Sequence, residues 1–564
     1  MTDRSQRRSA ACRVASRDTS MSPIEIPAPK DRVLRTSPPG IVAALAALLV
    51  VVGCRPEPSR EGLLVAALTT DASHLNPAIT TAGGVHTAAA LLYNGLVALD
   101  EDLQPVPELA KSWTIEEEGA RYRFHLRRDV RWHDGARFTS ADVKFAFDSV
   151  LLRFHARTRA SLGAALDSIE TPDDSTVVFR FKAPYAVLLQ QLNVVEAPIV
   201  PRHLFVNTDP TTNPATRAPV GTGPYRFVSH TPDSEIRYVA NADYFGGAPA
   251  IDRIVMRVIP DGSMQVVALE SGEVDWLFGV PGPDRARLVR DTTVRLVQTT
   301  VNAGGSNCVN TLVFNLDQPV FADGRVRRAV AHGIDRQTFL ERVEFGVGRV
   351  ATKPISSRIP VAQADDLAFP AYDTLSANRL LDTAGWRRGA DGVRTADGVR
   401  GFRDGARLRF RFTHMSPLQP YGDLLRAQLR QVGIEVELVA LEPAVFAQVV
   451  FTERDFDTGI VSYCNGTDPE VGVRRMYVSS NIAPVPFSNG AGYRSAVMDS
   501  LWDAARAALD PVQRRSIYEE IQRLALRDLP YLSLIETAAT RAHRTRCAGF
   551  RGGAHFAATA RCGR

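Results

Sequence analysis

The segment SYCNGTDPE, residues 462–470, places a cysteine among short polar side chains. Cys464 could act as a nucleophile, a metal ligand or half of a disulfide. Its neighbours Asn465 and Asp468 could bind a ligand or only form a turn. A nucleophile elbow needs the pattern Gly-x-Ser/Cys-x-Gly, which is missing here. The chain also has no CxxC or HExxH pair for zinc and no GxxxxGK[ST] loop for phosphate, so these motifs give little support to an enzyme.

His133 and Asp134, in the stretch RWHDG, have the residue types of a general base and acid. Gly135 follows them directly and predicts a turn, so we interpret this pair as structural. The remaining histidines are scattered singly along the chain. We therefore expect no metal site and no cofactor.

An apolar run, IVAALAALLVVV at residues 41–52, predicts export from the cytoplasm. It is shorter than the about 20 residues that span a bilayer, and it has the length of a signal-peptide core. Basic residues precede it, and small residues lead into Cys54, as in a bacterial lipobox. This pattern predicts cleavage before Cys54 and a lipid on its sulfur, with Met21 as an alternative start. The protein would then be tethered to a membrane outside the cytoplasm, where disulfides persist.

The composition is that of an ordinary globular chain, since 45% of its 564 residues are hydrophobic and 23% are charged. That length allows several domains or lobes. The formal net charge is +5, but the first 53 residues hold eight basic and four acidic side chains. The rest of the chain thus carries about +1, which argues against nucleic-acid binding.

Helical and strand-like segments alternate through the chain and predict the α/β class. Residues 121–127 and 175–181 have strand patterns, and a helix with Ser140 as its N-cap is expected between them. Residues 495–529 predict two amphipathic helices that are split at Asp510-Pro511.

A set of motifs in fixed order then resembles the extracytoplasmic solute-binding proteins of family 5, the oligopeptide-, dipeptide- and nickel-type receptors of ABC importers. Each motif is weak alone, but their order through most of residues 62–540 is specific. They are LYNGL (92–96), PELAKSW (107–113), FHLR (124–127), WHDG (132–135), SADV (140–143), GTGPY (221–225), ALESGEVDW (268–276), FNLDQPVFADGRVRRAVAHGIDR (314–336) and ANRLLDTAGW (377–386).

The resemblance implies a two-lobed α/β fold of the periplasmic-binding-protein type II class with an extra inserted domain. A leader would occupy residues 1–53. Lobe I would comprise residues 54–97, 198–300 and 530–564, inserted domain II residues 98–197, and lobe III residues 301–529. Two chain crossings between the lobes would suit a receptor that closes by a hinge.

Four cysteines remain besides those of the leader and the lipid site, and they allow three pairings. Some oligopeptide receptors of the family carry a cysteine at the position of Cys308, bridged to one in the loop that matches residues 462–470. The resemblance therefore implies a Cys308–Cys464 disulfide, which leaves Cys547 and Cys562 as the second pair.

In peptide-binding relatives the same loop carries an aspartate that pairs with the ligand's ammonium group. Aligning the Asp468-Pro469 step places Asn465 at that position, and an amide offers no charge to an ammonium. Asp468 would substitute if the loop were shifted, and otherwise it would cap the next turn. This departure favours a less cationic solute, such as a modified peptide, an opine-like compound or a glycoside. The expected pocket residues are Tyr463, Asn465, Asp468, Asn310, Tyr93, Asn489 and Tyr493.

We therefore expect the substrate-binding component of an ABC importer, which binds a short peptide or related small solute between its lobes and delivers it to permease subunits. We expect a lipid-anchored monomer in the periplasm or at the cell surface that performs no covalent chemistry. Three alternatives stay open: a receptor for a non-peptide solute such as a nickel chelate, an extracytoplasmic sensor, and a secreted hydrolase, which the missing nucleophile motif argues against.

Overall fold

The computed structural model describes residues 60–100, 103–299, 307–551 and 554–563. The leader expected at residues 1–53 and the lipid site expected at Cys54 lie outside these ranges. Within the ranges, no helix combines the length and apolarity needed to cross a bilayer.

The first lobe contains a seven-stranded sheet with parallel and antiparallel pairs. Its central strand, LLVAAL, is an apolar run that is buried almost throughout, as expected for a strand covered on both faces. The strands are ordered across the sheet as Val294–Thr299, Ala539–Arg544, Trp276–Leu277, Leu63–Leu68, Arg253–Val258, Glu235–Ala240 and Tyr225–Thr231.

The second lobe contains a six-stranded sheet whose three central strands are buried along nearly their whole length. Its spatial order is Arg349–Val350, Tyr531–Glu536, Asn307–Phe314, Thr458–Asn465, Arg409–Met415 and Glu435–Leu441.

The chain passes between these two sheets at two places. The first crossing runs from Thr299 to Asn307, and the second needs only Thr537 and Ala538. The strand Tyr531–Glu536 pairs with Asn307–Phe314, so the chain leaves the second sheet one strand later than the expected boundary at residue 530.

A separate antiparallel sheet lies within the segment expected as the inserted domain. In its strand Arg121–Leu126, Tyr122, Phe124 and Leu126 are buried while the alternate residues are more exposed, which matches the alternation read from the sequence. The sheet is ordered Ala110–Glu116, Arg121–Leu126, Thr176–Phe181 and Leu166–Asp173. Two-stranded ladders join Val97–Leu99 to Pro105–Pro107, Trp386–Arg388 to Arg394–Ala396, and Cys547–Ala548 to Arg561–Cys562.

Helices cover the sheets and follow the sequence pattern closely. The helices of seven or more residues are Gly83–Ala89, Ala156–Leu162, Gly262–Ser271, Gly282–Leu288, Gly324–His332, Arg336–Arg342, Thr374–Thr383, Gln419–Gln431, Ala496–Ala507 and Pro511–Asp528. Shorter helical segments are Ser140–Phe145 with its π-helical continuation Ala146–Leu151, Leu152–Phe154, Leu188–Gln191, Arg202–Phe205, Pro319–Ala322, Pro443–Ala447, Gln448–Glu453 and Arg474–Tyr477. Single 3-10 turns are Pro77–Ile79, Glu117–Gly119, Pro214–Thr216, Pro360–Ala362, Ser416–Leu418 and Ser479–Asn481.

The ends of these helices show which local signals decide the structure. Asp510 accepts from the backbone N–H of Val512 and Pro511 begins the next helix, so the split expected there is confirmed. The expectation of Ser140 as N-cap is wrong by one residue. Thr139 is the cap, because its side chain accepts from the Asp142 backbone N–H and its own backbone N–H donates to the Asp142 carboxylate, which makes a capping box.

Candidate functional site

Cys464 is half of a disulfide. It is bonded to Cys308, and Cys547 is bonded to Cys562, which is the pairing implied by the family resemblance. In both cases the two cysteines lie directly opposite each other on antiparallel strands. The first disulfide therefore crosslinks the two strands that carry Asn310, Tyr463 and Asn465, three of the seven expected pocket residues.

The register of these strands separates the expected pocket residues onto two faces. Successive side chains on a strand point to opposite faces, and Asn465 shares its face with Asn307, the residue directly across. Asn310 points to the other face, where its Nδ2 donates to the Tyr421 hydroxyl at 2.9 Å and to Glu344 Oε1 at 3.3 Å. Asn310 thus belongs to a buried hydrogen-bonded cluster that faces away from Asn465.

Asn307 and Asn465 form a buried pair of amides, which are 1% and 4% exposed. Neither Oδ1 nor Nδ2 of Asn307, nor Oδ1 of Asn465, has a hydrogen-bond partner in the described part of the chain. An unpaired buried amide costs about 1–3 kcal/mol, so groups of this kind point to a site that binds something polar. Gly472 permits the arrangement: its φ is 117°, and a Cβ there would lie 2.6 Å from Asn465 Oδ1.

Tyr463 shares this face but is held by its own contacts. It is fully buried, its hydroxyl donates to the Ser488 carbonyl at 3.4 Å, and its ring meets that of Tyr531 edge to face at 6.1 Å. Burial raises the pKa of its hydroxyl well above the ordinary value. Its ring also lies 5.9 Å from the Arg475 guanidinium. Tyr463 therefore lies on the same strand face as Asn465, two residues before it, and its ring is the aromatic partner of a cation.

Asp468 is occupied by partners of its own lobe. Its Oδ1 accepts from Arg514 Nη2 at 2.8 Å, from the Tyr518 hydroxyl at 3.1 Å and from the backbone N–H of Glu470 at 2.9 Å. The Asp468 and Arg514 side chains are 2% and 7% exposed, so the ion pair is buried. The turn-capping expectation for Asp468 agrees with its bond to the Glu470 N–H, and Oδ1 of its carboxylate is engaged by the protein itself.

Glu470 is the second carboxylate of the loop, and it is also enclosed by cations. Its side chain is 1% exposed, with Arg474 Nε at 3.4 Å and Arg506 Nε at 3.8 Å from Oε1. Both pairs are within ion-pair distance, although neither Glu470 oxygen has hydrogen-bond geometry to a partner in the described residues. Burial raises the pKa of this carboxyl to about 7, and the arginines only partly oppose that shift.

Asn489 and Tyr493 hold a neighbouring loop together. The Asn489 amide donates to the carbonyls of Val478 at 3.1 Å and Tyr493 at 2.8 Å, and its Oδ1 accepts from the Tyr493 N–H and the Tyr531 hydroxyl at 3.1 Å each. The Tyr493 hydroxyl donates to Asp528 Oδ2 at 2.6 Å. Both side chains are thus fully used inside the second lobe.

Tyr93 lies in the core of the first lobe. Its side chain is fully buried, and its hydroxyl has no hydrogen-bond partner among the described residues. Burial raises the pKa of that hydroxyl well above its ordinary value, so it stays a neutral donor. Its carbonyl accepts a hydrogen bond from His555 Nε2 at 2.9 Å.

His133 and Asp134 make structural contacts, as interpreted from the sequence. His133 Nδ1 accepts from the Gly221 N–H at 3.1 Å and Nε2 donates to the Gly223 carbonyl at 3.0 Å. Burial lowers the pKa of His133 to about 4, which favours this neutral form. Asp134 lies 2.7 Å from His203 Nε2. No cluster of three His, Cys, Asp or Glu side chains suited to a metal occurs within the described ranges.

Sequence reasoning missed Asn307 and Arg475. A signal for Asn307 exists, because the dipeptides Asn307-Cys308 and Cys464-Asn465 are mirror images. Once antiparallel strands place the two cysteines opposite each other, the two asparagines must also face each other. Arg475 carries no such signal, since its position depends on how residues 466–474 fold back on the strand.

The chain resembles transport proteins over most of its length. Residues 104–484 match the family described as bacterial extracellular solute-binding proteins, family 5, middle part. A Brucella ovis protein named for ABC transporter peptide binding is 29% identical over 471 residues, which are 81% of this chain and 84% of that protein. The oligopeptide-binding protein AppA of Bacillus subtilis is 27% identical over 495 residues, covering 85% and 87%.

The fold comparison agrees with the sequence comparison. The structure of NikA from Brucella suis in complex with Fe(III)-EDTA superposes with a TM-score of 0.76 at 25% identity, covering 88% of this chain and 98% of NikA. Because the family match spans more than half of the sequence, this chain belongs to the bacterial extracellular solute-binding proteins of family 5.

Proposed function

We propose that this protein is the substrate-binding component of an ABC importer, which binds a short peptide or related small solute between its lobes and delivers it to permease subunits. The observation that carries the proposal is the buried amide pair of Asn307 and Asn465. Asn307 is the first strand residue after one crossing between the sheets. Unpaired polar groups at that position are what a solute enclosed by two lobes would satisfy.

The relatives support transport but differ in their ligands. AppA is named for oligopeptides, while NikA was solved with a metal chelate. From the residues themselves, we propose that Asn307 and Asn465 bind the solute and that the Tyr463 ring lies at the base of the site. We also propose that the neutral hydroxyl of Tyr93 contacts the solute from the first lobe. For the remaining expected residues we propose a role in holding the second lobe rather than in contacting the solute; they are Asn310, Asp468, Asn489 and Tyr493.

We also propose that the protein acts as a lipid-anchored monomer outside the cytoplasm and performs no covalent chemistry on its ligand. The run of residues 41–52 before Cys54 supports export and lipidation. Expression of the full chain and of Cys54→Ala in a bacterial host, followed by membrane fractionation, tests the anchor. We expect the unchanged protein in the membrane fraction and the variant outside it. Equal membrane association of both would contradict lipid attachment at Cys54.

Thermal unfolding of the purified protein against a ligand panel tests solute binding. The panel contains di- to pentapeptides, N-acetylated peptides, nickel with and without histidine, and sugars. A specific solute at 100 times its Kd stabilises the folded state by about 2.7 kcal/mol, which raises Tm measurably. The Asn307→Ala and Asn465→Ala variants should lose that shift, while Asn310→Ala, altered on the opposite face, should keep it. A full shift in both amide variants would contradict the proposed site.

A further inference from the structure

The turn after Cys464 contains one charge without a counter-ion. Asp468 is paired with Arg514, and Glu470 lies between Arg474 and Arg506. Arg475 is the remaining charged residue of the turn, and none of its nitrogens lies within 4.0 Å of a carboxylate in the described residues. A half-buried cation without a carboxylate is costly unless a counter-charge arrives from elsewhere.

The Arg475 side chain is held in place by neutral groups. Its Nε donates to the Gly472 carbonyl at 3.0 Å, and its Nη2 donates to the Cys464 carbonyl at 3.1 Å. The guanidinium also lies 5.9 Å from the rings of Tyr463 and Phe487. Nη1 makes no hydrogen bond to any described residue. Burial lowers the Arg475 pKa to about 10, so the group is still positive at neutral pH.

The facing part of the inserted domain does not neutralise this cation. Glu196 attracts the Arg475 charge and Arg157 repels it. The two residues are bonded to each other, with Arg157 Nε 3.0 Å from Glu196 Oε2. The Glu196 carboxylate is thus already paired with Arg157, and the positive charge of Arg475 stays in excess.

This cation lies beside the amide pair. Arg475 binds the carbonyl of Cys464, the residue next to Asn465, and packs on Tyr463, which shares the face of Asn465. An ammonium group at Asn465 would meet a neutral amide and a nearby positive charge, which disfavours it. A carboxylate would gain a charge-assisted hydrogen bond from Nη1 and could accept further bonds from the amides.

We propose that the solute carries a carboxylate that binds Arg475 and presents an uncharged polar group, rather than a free ammonium, to Asn307 and Asn465. This inference rests on the proposed solute-binding function. It narrows the ligand to acidic compounds such as amine-blocked peptides or sugar acids.

Matched probes test the charge preference with the purified protein. One mixture contains N-acetyl dipeptides and sugar acids with free carboxylates, and a second contains the same compounds as carboxamides. A third contains dipeptide amides with a free ammonium group. We expect a rise in Tm with the first mixture only, followed by a Kd for its active member from calorimetry. Arg475→Gln should weaken that Kd about tenfold to a hundredfold, because a charge-assisted bond is lost.

Two further variants keep the result interpretable. Arg474→Gln changes the neighbouring arginine, which pairs with Glu470, and should leave the Kd unchanged. Arg475→Lys keeps the charge and should retain part of the carboxylate preference. This variant also tests the inference if Arg475→Gln does not fold. Binding of the ammonium-bearing amides, or an unchanged Kd in Arg475→Gln, would overturn the inference alone. A response to none of the three mixtures or the wider panel would overturn the proposed function with it.

Discussion

Asn307 lies directly opposite Asn465 on the strand pair crosslinked by the first disulfide, and both polar atoms of the Asn307 amide and Oδ1 of Asn465 lack partners within the described structure. Asn489, in contrast, uses its amide in four hydrogen bonds. Buried amides in one lobe are thus of two kinds, those that hold the fold by hydrogen bonds and those with polar atoms that have no partner in the described residues.

Asn307→Ala should therefore leave the unfolding free energy of the ligand-free protein unchanged or raise it by up to about 3 kcal/mol, because it removes an unpaired polar group whose burial costs about 1–3 kcal/mol. Asn489→Ala should lower it by about 3–4 kcal/mol, since four hydrogen bonds of about 1 kcal/mol are lost. Urea denaturation of both variants checks the contrast. Equal losses would show that Asn307 also has a structural role.

Asp468→Asn should destabilise the fold and leave solute affinity unchanged. Removing one partner of a buried ion pair costs about 3–5 kcal/mol, and Arg514 would be left without its carboxylate. Calorimetry with any identified ligand, together with urea denaturation, separates the two effects. A large loss of affinity at unchanged stability would assign Asp468 to the ligand instead.

Loss of the first disulfide should cost more stability than loss of the second. The sequence separations are 156 and 15 residues, for which the chain-entropy relation gives about 5 and about 3 kcal/mol. The paired serine variants Cys308→Ser/Cys464→Ser and Cys547→Ser/Cys562→Ser can be compared by urea denaturation. The reverse order would show that the C-terminal ladder contributes more than loop closure.

Acid should destabilise the protein through its buried histidines. Burial holds the pKa of His86 and of His133 at about 4, against 6.5 in the unfolded chain. The unfolded state binds more protons between these values, so stability falls as the pH drops from 6.5 towards 4. Each histidine should remove about 2 kcal/mol between pH 7.5 and pH 5.0.

Unfolding at those two pH values, compared with His86→Gln and His133→Gln, measures these contributions. Each variant should show a smaller decrease than the parent protein. If the unfolding free energy decreases by the same amount in both variants as in the parent protein, groups other than these histidines cause the acid sensitivity.

Glu470 should change the pH dependence of stability in the direction opposite to that of the two histidines. Its pKa is raised from 4.5 to about 7, so its stabilising contribution is complete below pH 4.5 and is lost as the pH rises through 7. Glu470→Gln stays neutral at every pH. Its unfolding free energy relative to that of the parent protein should therefore rise by about 2–3 kcal/mol between pH 5 and pH 8. If the difference between the two proteins stays constant over that range, Arg474 and Arg506 keep the carboxylate ionised throughout.

The sequence predicts the fold class and the helix ends well, because caps and periodicity are local signals. The Asp510-Pro511 step divides two helices as expected, and a single-residue error at Ser140 arises because Thr139 is an equally good cap. The partner of Asp468, in contrast, is 46 residues away, on the helix Pro511–Asp528. No local sequence pattern predicts the Asp468–Arg514 pair. From the sequence, Asp468 is therefore a candidate ligand-binding residue, whereas in the structure its carboxylate pairs with Arg514.

Asn310 illustrates a second limit. Its type and its closeness to Cys308 make it a reasonable pocket residue, but strand alternation turns it away from Asn465. Predicting this orientation requires the register between the strands Asn307–Phe314 and Thr458–Asn465. The two mirrored Asn/Cys dipeptides contain that information. Arg475 depends on the path of an irregular turn, which the sequence pattern does not give.

The second crossing between the sheets consists of only Thr537 and Ala538. Such a short link allows one lobe to rotate relative to the other but allows almost no translation between them, since each residue spans at most about 3.6 Å. Thr537 is also fastened to the Cys308 carbonyl, through its N–H at 2.9 Å and its hydroxyl at 3.1 Å. The second crossing is thus hydrogen-bonded to the residue next to Asn307, and a rotation of one lobe against the other at Thr537 would act on the strand that carries one half of the amide pair.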